Sequence, residues 1–288
     1  MYGITAVIYA DISVLKIVLR VTKNFSSYSM YILRMVDLLF RALPTSSRQL
    51  VQFRANRLGR DIAVGDIHGC FSALQTALQA IDFDPIRDRL FSVGDLVDRG
   101  PESHRVLEWL DKPWFHAVCG NHEQMVFCTA SGNPLPDVDH MKHGGDWLLT
   151  LTARERGVIA ERLAALPVAI EVETHQGPVG LVHAGYPFED WHDIRNFHMT
   201  ESAIDCCLWS RDRHVRRSEQ PVANVRALIH GHTTIDRVER LGNVIFIDTG
   251  GWRRAPGHFT LLDLHTLHPI APQSSGRMLQ ETQAVAMN

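Results

Sequence analysis

The chain has 288 residues, enough for one large domain or two small ones with a buried core. Its formal net charge of −3 argues against a nucleic-acid partner, because proteins that bind nucleic acid usually carry a basic surface. The five cysteines form no C-x-x-C pair, which disfavours a thiolate zinc site and a disulfide framework. This cysteine usage predicts a reduced, cytoplasmic compartment, and the adjacent Cys206 and Cys207 are expected to serve packing.

The first 59 residues differ from the rest and are predicted to form an N-terminal extension. Charged side chains interrupt residues 1–21, so no uncharged run reaches the ~18 residues that an integral membrane span needs. No basic segment precedes the apolar part, which disfavours a secretory signal. Residues 30–43 place apolar side chains at helical spacing, and an amphipathic membrane-surface helix is one interpretation. We favour a weakly ordered or partner-docking extension. Alternatively, the sequence begins upstream of the natural translation start, for which Met30 and Met35 are the candidates.

Three apolar runs between Asp61 and Glu123 each end in a glycine that is followed by metal-ligand residue types. Short β-rich runs bounded by glycine predict strands, and the intervals between them are long enough for helices. The pattern is therefore β-α-β-α-β with a mostly parallel sheet, and in such sheets ligands collect beyond the carboxyl ends of the strands. The three runs are Ile62-Ala63-Val64-Gly65-Asp66-Ile67-His68-Gly69, residues 90–100 (LFSVGDLVDRG) and residues 115–123 (FHAVCGNHE).

The remaining pattern continues as a single catalytic domain, predicted over residues 60–271. Apolar spacing predicts helices over residues 71–81, 102–110, 124–130 and 147–166, the last ended by Pro167. Further strands are predicted over residues 168–173, 179–183, 226–229, 244–248 and 258–264. A polar segment over residues 186–220 shows less regular structure, and the tail over residues 272–288 is predicted to be disordered.

Side chains after these strands supply the donor set of a dinuclear metal centre. Two divalent ions about 3.5–4 Å apart need a bridging carboxylate, hard oxygen ligands and neutral imidazoles. Such a pair would bind a bridging water and give hydroxide near neutral pH. The predicted ligands are Asp66 and His68 for one ion, Asn121, His183 and His232 for the other, and Asp95 as the bridge between them.

Phosphate chemistry needs two further groups, and the sequence offers candidates for both. Arg99 and Arg211 can present the guanidinium fork that matches a phosphate. A leaving alkoxide needs a proton, and His122 is placed to be the general acid. Asp98 is the candidate that holds the His122 imidazole.

Several other residues are expected to play structural parts. His230 is interpreted as a strand-end histidine satisfied by backbone, and Arg213 as a solvated or structural charge. His140 is expected to be a surface or packing residue, like most of the other histidines. Trp147 either lines a substrate groove or packs in the core.

The motifs Gly65-Asp66-Ile67-His68-Gly69, residues 94–100 (GDLVDRG) and Gly120-Asn121-His122-Glu123 resemble the signature of the phosphoprotein phosphatase family of metallophosphoesterases. The chain looks most similar to the bacterial and bacteriophage lambda-type serine/threonine phosphatases. The resemblance implies a four-layer α/β fold, with a central β-sandwich flanked by helices. It also implies two divalent metal ions, most often manganese with iron, zinc or nickel as alternatives. The residue roles given above are implied as well, with Asn121 also at the substrate phosphate. Further local matches lie at residues 144–147, 183–188, 209–211 and 231–233.

Four positions bear on which subgroup the chain resembles. Cys119 stands where relatives commonly carry Arg, a change expected to affect substrate contacts or a surface charge but not metal binding. Thr234 replaces the second His that many other metallophosphoesterases have, which favours the protein phosphatases. Symmetrical dinucleoside tetraphosphatases typically carry Ala in place of Asp98 and Asp in place of Glu123, so both positions favour the phosphatase.

The expected function is hydrolysis of phosphoserine and phosphothreonine, with phosphotyrosine as a further substrate, in phosphoprotein or phosphopeptide partners. The chain is expected to act as a monomer. The alternatives are a symmetrical dinucleoside tetraphosphatase, a small-molecule phosphomonoesterase and a non-catalytic phosphate-binding scaffold. A scaffold would have lost a metal ligand or His122, and the sequence retains them all.

Overall fold

The computed structural model describes residues 49–196, 199–253 and 256–272. The strands are β1 Leu50–Phe53, β2 Asp61–Val64, β3 Arg89–Ser92, β4 Phe115–Ala117, β5 Ala169–Val172, β6 Val179–Val182, β7 Ala227–His230, β8 Glu239–Leu241, β9 Val244–Phe246, β10 Leu261–Asp263 and β11 His268–Pro269. The α-helices are α1 Phe71–Gln79, α2 Val106–Leu110, α3 Asn121–Ala130, α4 Ala153–Ala164, α5 Asp193–Asn196, α6 Glu201–Trp209 and α7 Asp212–Val215. Short 3-10 helices span Ser103–Arg105, His140–His143 and Gly145–Thr150.

The strands form two mixed sheets. The first sheet has the order β11-β10-β2-β3-β4, and β2, β3 and β4 are parallel neighbours. The second sheet has the order β1-β5-β6-β7-β9-β8, in which β6, β7 and β9 run parallel. The β-α-β-α-β pattern predicted from the three glycine-ended runs is therefore confirmed, and antiparallel strands extend each sheet.

The two sheets pack face to face around a shared core. Ala63, Phe91 and Val93 of the first sheet and its loops cluster with Leu181 and Ile229 of the second, and all five side chains are buried. Helices pack on the outer face of each sheet, because its apolar side chains would otherwise be exposed to water. Trp109 and Leu74 pack on the first sheet, and Trp191 and Cys207 pack on the second. The predicted β-sandwich flanked by helices is confirmed.

Three local predictions differ from the structure. The helix predicted over residues 147–166 is interrupted, because the Thr152 side chain accepts a hydrogen bond from the backbone N–H of Glu155 and starts a new helix. The polar segment over residues 186–220 contains α5, α6 and α7. Strand β1 lies within the predicted extension, where it pairs in parallel with β5, so the second sheet begins N-terminal to residue 60.

Residues 1–48 and 273–288 lie outside the part of the chain that the structure describes. The predictions for residues 1–48 and for the tail from residue 273 fall on residues outside the described part. Among the described residues, no helix is both long enough and apolar enough to cross a bilayer.

Candidate active site

The predicted ligands lie on loops at the carboxyl ends of parallel strands. Asp66 and His68 follow β2, Asp95 follows β3, and Asn121 follows β4 as the first residue of α3. The second sheet delivers the other two, since His183 follows β6 and His232 follows the end of β7. The packing of the sheets thus brings side chains from both halves of the sandwich to one edge.

These loops are held in backbone conformations that most side chains avoid. Five of the candidate residues have φ between 45° and 69°, in the left-handed region, where a non-glycine residue is strained by about 1 kcal/mol or more. Neighbouring glycines make room: a Cβ on Gly120 would overlap the carboxylate of Asp95, and a Cβ on Gly231 would overlap Asp66. Such strain is typical of functional loops that must aim side chains at one point. The five strained residues are His68, Asp95, Asp98, Arg99 and His232.

One group of donor atoms surrounds the Asn121 side chain. Asn121 Oδ1 lies 3.0 Å from His183 Nε2 and 2.9 Å from His232 Nδ1, and those two nitrogens are 3.1 Å apart. His183 Nδ1 lies 2.7 Å from the Val93 carbonyl, and His232 Nε2 lies 3.1 Å from the Trp209 carbonyl. Each neutral ring therefore donates its one N–H to backbone and turns an unprotonated nitrogen toward Asn121.

The second group lies on the other side of Asp95. His68 donates from Nδ1 to the Val97 carbonyl at 2.9 Å, so its Nε2 carries the lone pair. That Nε2 lies 3.6 Å from Asp95 Oδ2 and 3.9 Å from Asp66 Oδ2. The other oxygen, Asp95 Oδ1, lies 3.3 Å from His183 Nε2. Asp95 thus presents one carboxylate oxygen to each group, which is the arrangement of a bridging ligand.

The donor atoms fit divalent cations. Lone pairs of two imidazoles and an amide oxygen repel one another at about 3 Å in a buried site, and a cation is what relieves that repulsion. Ligand atoms within 4.8 Å of one another form the sets His68–Asp95–His122 and Asp95–His183–His232. Hard oxygens combined with neutral imidazoles suit first-row divalent ions.

Burial sets the protonation of these groups. Desolvation lowers the pKa of His68 and of His183, and with the neighbouring His183 it lowers the pKa of His232 to about 3. All three rings are therefore neutral at pH 7, the form that binds metal. Burial and then the nearby carboxylates of Asp248 and Asp95 raise the pKa of Asp66. Burial alone would raise the pKa of Asp95, but His183, His122 and His68 together hold it below its usual range.

His122 and Asp98 form the predicted pair beside the second group, the one that contains His68. His122 Nδ1 donates to Asp98 Oδ2 at 2.7 Å, which leaves His122 Nε2 facing the six predicted metal ligands, called the donor cluster below. This Nε2 atom lies 3.9 Å from Asp95 Oδ2. Two further side chains reach the same carboxylate. His140 Nε2 lies 2.9 Å from Asp98 Oδ2, and Trp147 Nε1 lies 2.7 Å from Asp98 Oδ1. The expectation that His140 is merely a surface or packing residue is wrong, and Trp147 contacts Asp98 through its polar edge.

The two predicted phosphate ligands lie at the rim of the cluster. Arg99 places its Nη1 atom 2.7 Å from His68 Nε2 and its Nη2 atom 3.1 Å from His122 Nε2. Its guanidinium carbon lies 4.6 Å from the ring centroid of Trp252, which also packs edge-on against His68. Arg211 donates to the His232 carbonyl at 3.3 Å. Both guanidinium groups are thus adjacent to the candidate metal ligands.

Glu123 and Trp252 belong to the site although sequence reasoning gave them no role there. The buried Glu123 carboxylate accepts backbone N–H bonds from Asp95, Leu96 and Gly120, each at 2.8 Å, and so ties two of the ligand loops together. The spacing of Gly120 and Glu123 is that of a helix-capping pair, and this signal could have revealed the role. Trp252 follows a pair of glycines and carries no comparable signal.

The interpretation of His230 as a strand-end histidine satisfied by backbone is confirmed for one ring nitrogen, whereas its buried Nε2 has no hydrogen-bond partner among the described residues. Its Nδ1 donates to the Val182 carbonyl at 2.7 Å, and the ring is buried at the end of β7. Arg213 is also structural, because its Nη1 donates to the carbonyls of Ser218 and Gln220.

Comparison with known proteins identifies the class to which this fold and donor cluster belong. The model of the Calcineurin-like phosphoesterase family matches residues 62–236, more than half of the chain. The chain therefore belongs to the calcineurin-like phosphoesterase family, and the predicted class of hydrolase is confirmed. The family implies divalent metal ions.

Within this family the chain is similar to bacterial protein phosphatases. It is 38% identical over 198 residues to serine/threonine-protein phosphatase 2 of Salmonella typhimurium, covering 66% of this chain and 86% of that protein. It is 38% identical over 193 residues to serine/threonine-protein phosphatase 1 of the same organism, covering 65% and 84%. A symmetrical bis(5'-nucleosyl)-tetraphosphatase of Methylococcus capsulatus is 35% identical over 127 residues, but the match covers only 43% of this chain and 42% of that protein.

Solved structures agree on the fold. A protein described as a candidate diadenosine tetraphosphatase superposes with a TM-score of 0.56 at 22% identity, covering 80% of this chain and all of that one. A serine/threonine phosphatase from Saccharomyces cerevisiae superposes with a TM-score of 0.50 at 20% identity, covering 76% and 75%. At these identities the likeness concerns the fold alone.

Proposed function

We propose that the chain is a metal-dependent serine/threonine protein phosphatase that hydrolyses phosphomonoesters. The observation that carries the proposal is the pair of donor groups on the two oxygens of Asp95, with the His122–Asp98 pair beside one of them. The similarity to two bacterial serine/threonine phosphatases over most of their length supports the substrate class.

The proposed ligands divide between the two oxygens of Asp95. Asp66 and His68 would hold one divalent ion, Asn121, His183 and His232 would hold the other, and Asp95 would bridge them. When bound, such a pair of ions lowers the pKa of a water and withdraws charge from the phosphoryl oxygens. Manganese is proposed because mixed carboxylate, amide and imidazole sites accept it, with iron, zinc or nickel as alternatives.

The chain's own groups would handle the substrate and the proton. Arg99 and Arg211, together with Asn121, would bind the phosphoryl oxygens, since a guanidinium fork matches their geometry. His122 would give a proton to the leaving alkoxide from Nε2, which faces the cluster. Asp98 would hold the imidazole in this orientation by accepting from Nδ1. Phosphotyrosine is proposed as a further substrate on the family resemblance.

A symmetrical dinucleoside tetraphosphatase is the second candidate, on the strength of its shorter sequence match. Asp98 favours the protein phosphatase, because the tetraphosphatases typically carry Ala at this position. In this chain three side chains bond to the buried Asp98 carboxylate. A small-molecule phosphomonoesterase would use the same groups. Phosphoproteins as partners, a monomeric state and a cytoplasmic location are proposed on the resemblance and composition given above.

One assay separates the candidates. The full chain is incubated with p-nitrophenyl phosphate, a phosphoserine peptide and diadenosine tetraphosphate, each with Mn²⁺ and with a chelator. The protein phosphatase predicts Mn²⁺-dependent release of phosphate from the first two. Turnover of the dinucleotide alone would refute it, and turnover of p-nitrophenyl phosphate alone would favour a small-molecule enzyme.

A further inference from the structure

The Asp98 carboxylate is buried, and side chains from three separate parts of the fold bond to it. Its Oδ2 atom accepts hydrogen bonds from His122 Nδ1 at 2.7 Å and from His140 Nε2 at 2.9 Å. Its Oδ1 atom accepts one from Trp147 Nε1 at 2.7 Å. Its backbone N–H donates to the Ser103 hydroxyl at 2.9 Å, which fixes the main chain beneath the carboxylate. Three donors on two oxygens leave the carboxylate little freedom to rotate.

We propose that His140 and Trp147 are positioning residues that fix the Asp98 carboxylate and, through it, the orientation of His122. This inference rests on the proposed function, because it assumes that His122 acts as the general acid. Among the described residues, the hydrogen bonds of these two side chains reach Asp98 and Thr129 and no candidate metal ligand, so both would act through Asp98.

The hydrogen-bond pattern assigns the tautomer of His140. The Thr129 hydroxyl lies 3.0 Å from His140 Nδ1, and His140 Nε2 lies 2.9 Å from Asp98. A carboxylate can only accept, so His140 carries a proton on Nε2, and in the neutral ring Nδ1 accepts from the Thr129 hydroxyl. Thr129 and His122 both lie on α3. His140 therefore connects Asp98 back to the helix that carries the acid itself.

Two glycines allow this segment to approach the site. Gly144 has φ +93°, and a Cβ there would overlap the backbone of Arg99. A Cβ on Gly145 would press against the His140 ring. The motif Gly144-Gly145-Asp146-Trp147 thus joins two 3-10 helices by a turn that packs directly on the Arg99 loop and brings His140 and Trp147 to the same carboxylate. The positioning role gives this motif a physical purpose.

The test compares leaving groups, because a displaced general acid slows poor leaving groups more than good ones. Trp147→Phe removes one N–H and keeps an aromatic ring, and His140→Leu removes the other donor. Each variant of the full chain is assayed with Mn²⁺ on a series of substituted phenyl phosphates. We expect kcat/KM to fall about tenfold for the poorest leaving group and less than about threefold for p-nitrophenyl phosphate, a part of the ~10²–10⁴ that general acids contribute.

Matched variants separate positioning from general damage. His140→Gln keeps a donor close to the Nε2 position and should recover most of the lost rate. Met141→Ala and Leu149→Ala change exposed side chains on the same two 3-10 helices and should behave like wild type. Bound metal is measured for every variant and should not change.

Two results would overturn the inference. One is an equal fall for all leaving groups, and the other is loss of bound metal in Trp147→Phe. If His140→Leu does not fold, Trp147→Phe alone decides. If wild type hydrolyses the phenyl phosphates but no phosphopeptide, the protein-phosphatase proposal fails while the positioning role is still tested by the same series.

Discussion

His183 Nε2 lies 3.1 Å from His232 Nδ1, and each ring has given its other nitrogen to a backbone carbonyl. Neither nitrogen can donate to the other while both rings are neutral, so the pair is built to share a cation. The first prediction follows from this geometry. Divalent metal should raise the melting temperature of wild type, because an ion that binds only the folded state stabilises it by about 2.7 kcal/mol at 100 times its Kd. His232→Gln should remove part of this shift.

Thermal melts with increasing Mn²⁺ measure the effect. His214→Gln is the control, since His214 pairs with Glu239 and is not among the candidate ligands. An unchanged shift in His232→Gln would show that His232 is not a ligand.

The second prediction concerns the proton donor. His122→Asn should lower kcat on a phosphoserine peptide by ~10²–10⁴, the usual contribution of a general acid, while bound metal stays at the wild-type level. Steady-state kinetics and elemental analysis of the same preparation provide both values. Loss of metal would mean that His122 is a ligand, an arrangement that its place in one of the two donor sets also allows.

The third prediction concerns the two guanidinium groups. Arg99→Lys and Arg211→Lys should each lower kcat/KM by about 10–100-fold, because a lysine keeps the charge but loses the fork, and a hydrogen bond to a charged group is worth about 1.5–3 kcal/mol. Arg213→Lys is the matched control, since Arg213 donates to the carbonyls of Ser218 and Gln220. Wild-type kinetics in Arg211→Lys would remove that residue from the site.

The fourth prediction uses a histidine away from the donor cluster. His116 packs against the rings of Phe53 and Phe91, with centroids 4.4 Å and 5.2 Å away. Burial and then the Arg89 charge lower the pKa of His116 to about 4. Between pH ~6.5 and ~4, His116 is therefore protonated in the unfolded chain and neutral in the folded chain. The free energy of unfolding consequently decreases as the pH falls through this range. His116→Phe should lose about 1–2 kcal/mol less than wild type between pH 7 and pH 5.

Urea unfolding at the two pH values, with chelator present, measures this difference. Other buried histidines contribute equally to both proteins and cancel in the comparison. The same pH dependence in both proteins would show that His116 is protonated in the folded state.

The parts of the fold that sequence predicted are those encoded locally. The strands that precede Gly65 and Gly94 are short apolar runs, and the metal-ligand residue types that follow them are adjacent in the chain. Strand β1 was missed because its side chains are only partly buried and its pairing with β5 depends on residues more than a hundred positions away. The start of α4 was missed because helix propensity continues through Leu148, whereas the Thr152 cap decides where the chain turns.

The bonds from His140 and Trp147 to Asp98 could not be predicted for the same reason. His140 is 42 residues away from Asp98 along the chain, and one histidine among 16 carries no sign of its partner. Glu123 differs, because it lies three residues after Gly120 in the sequence, and this spacing is a local signal for helix capping. Contacts between distant segments and one carboxylate depend on the tertiary structure, so local sequence patterns do not reveal them.

The most direct test of the account is the metal content of Asp95→Asn. An amide in place of the carboxylate keeps the shape of the side chain but removes the charge that both donor groups share. Metal analysis after loading with Mn²⁺ and desalting should give two ions per chain for wild type and a loss of both in the variant. Two ions in wild type with one retained in Asp95→Asn would contradict a bridging aspartate.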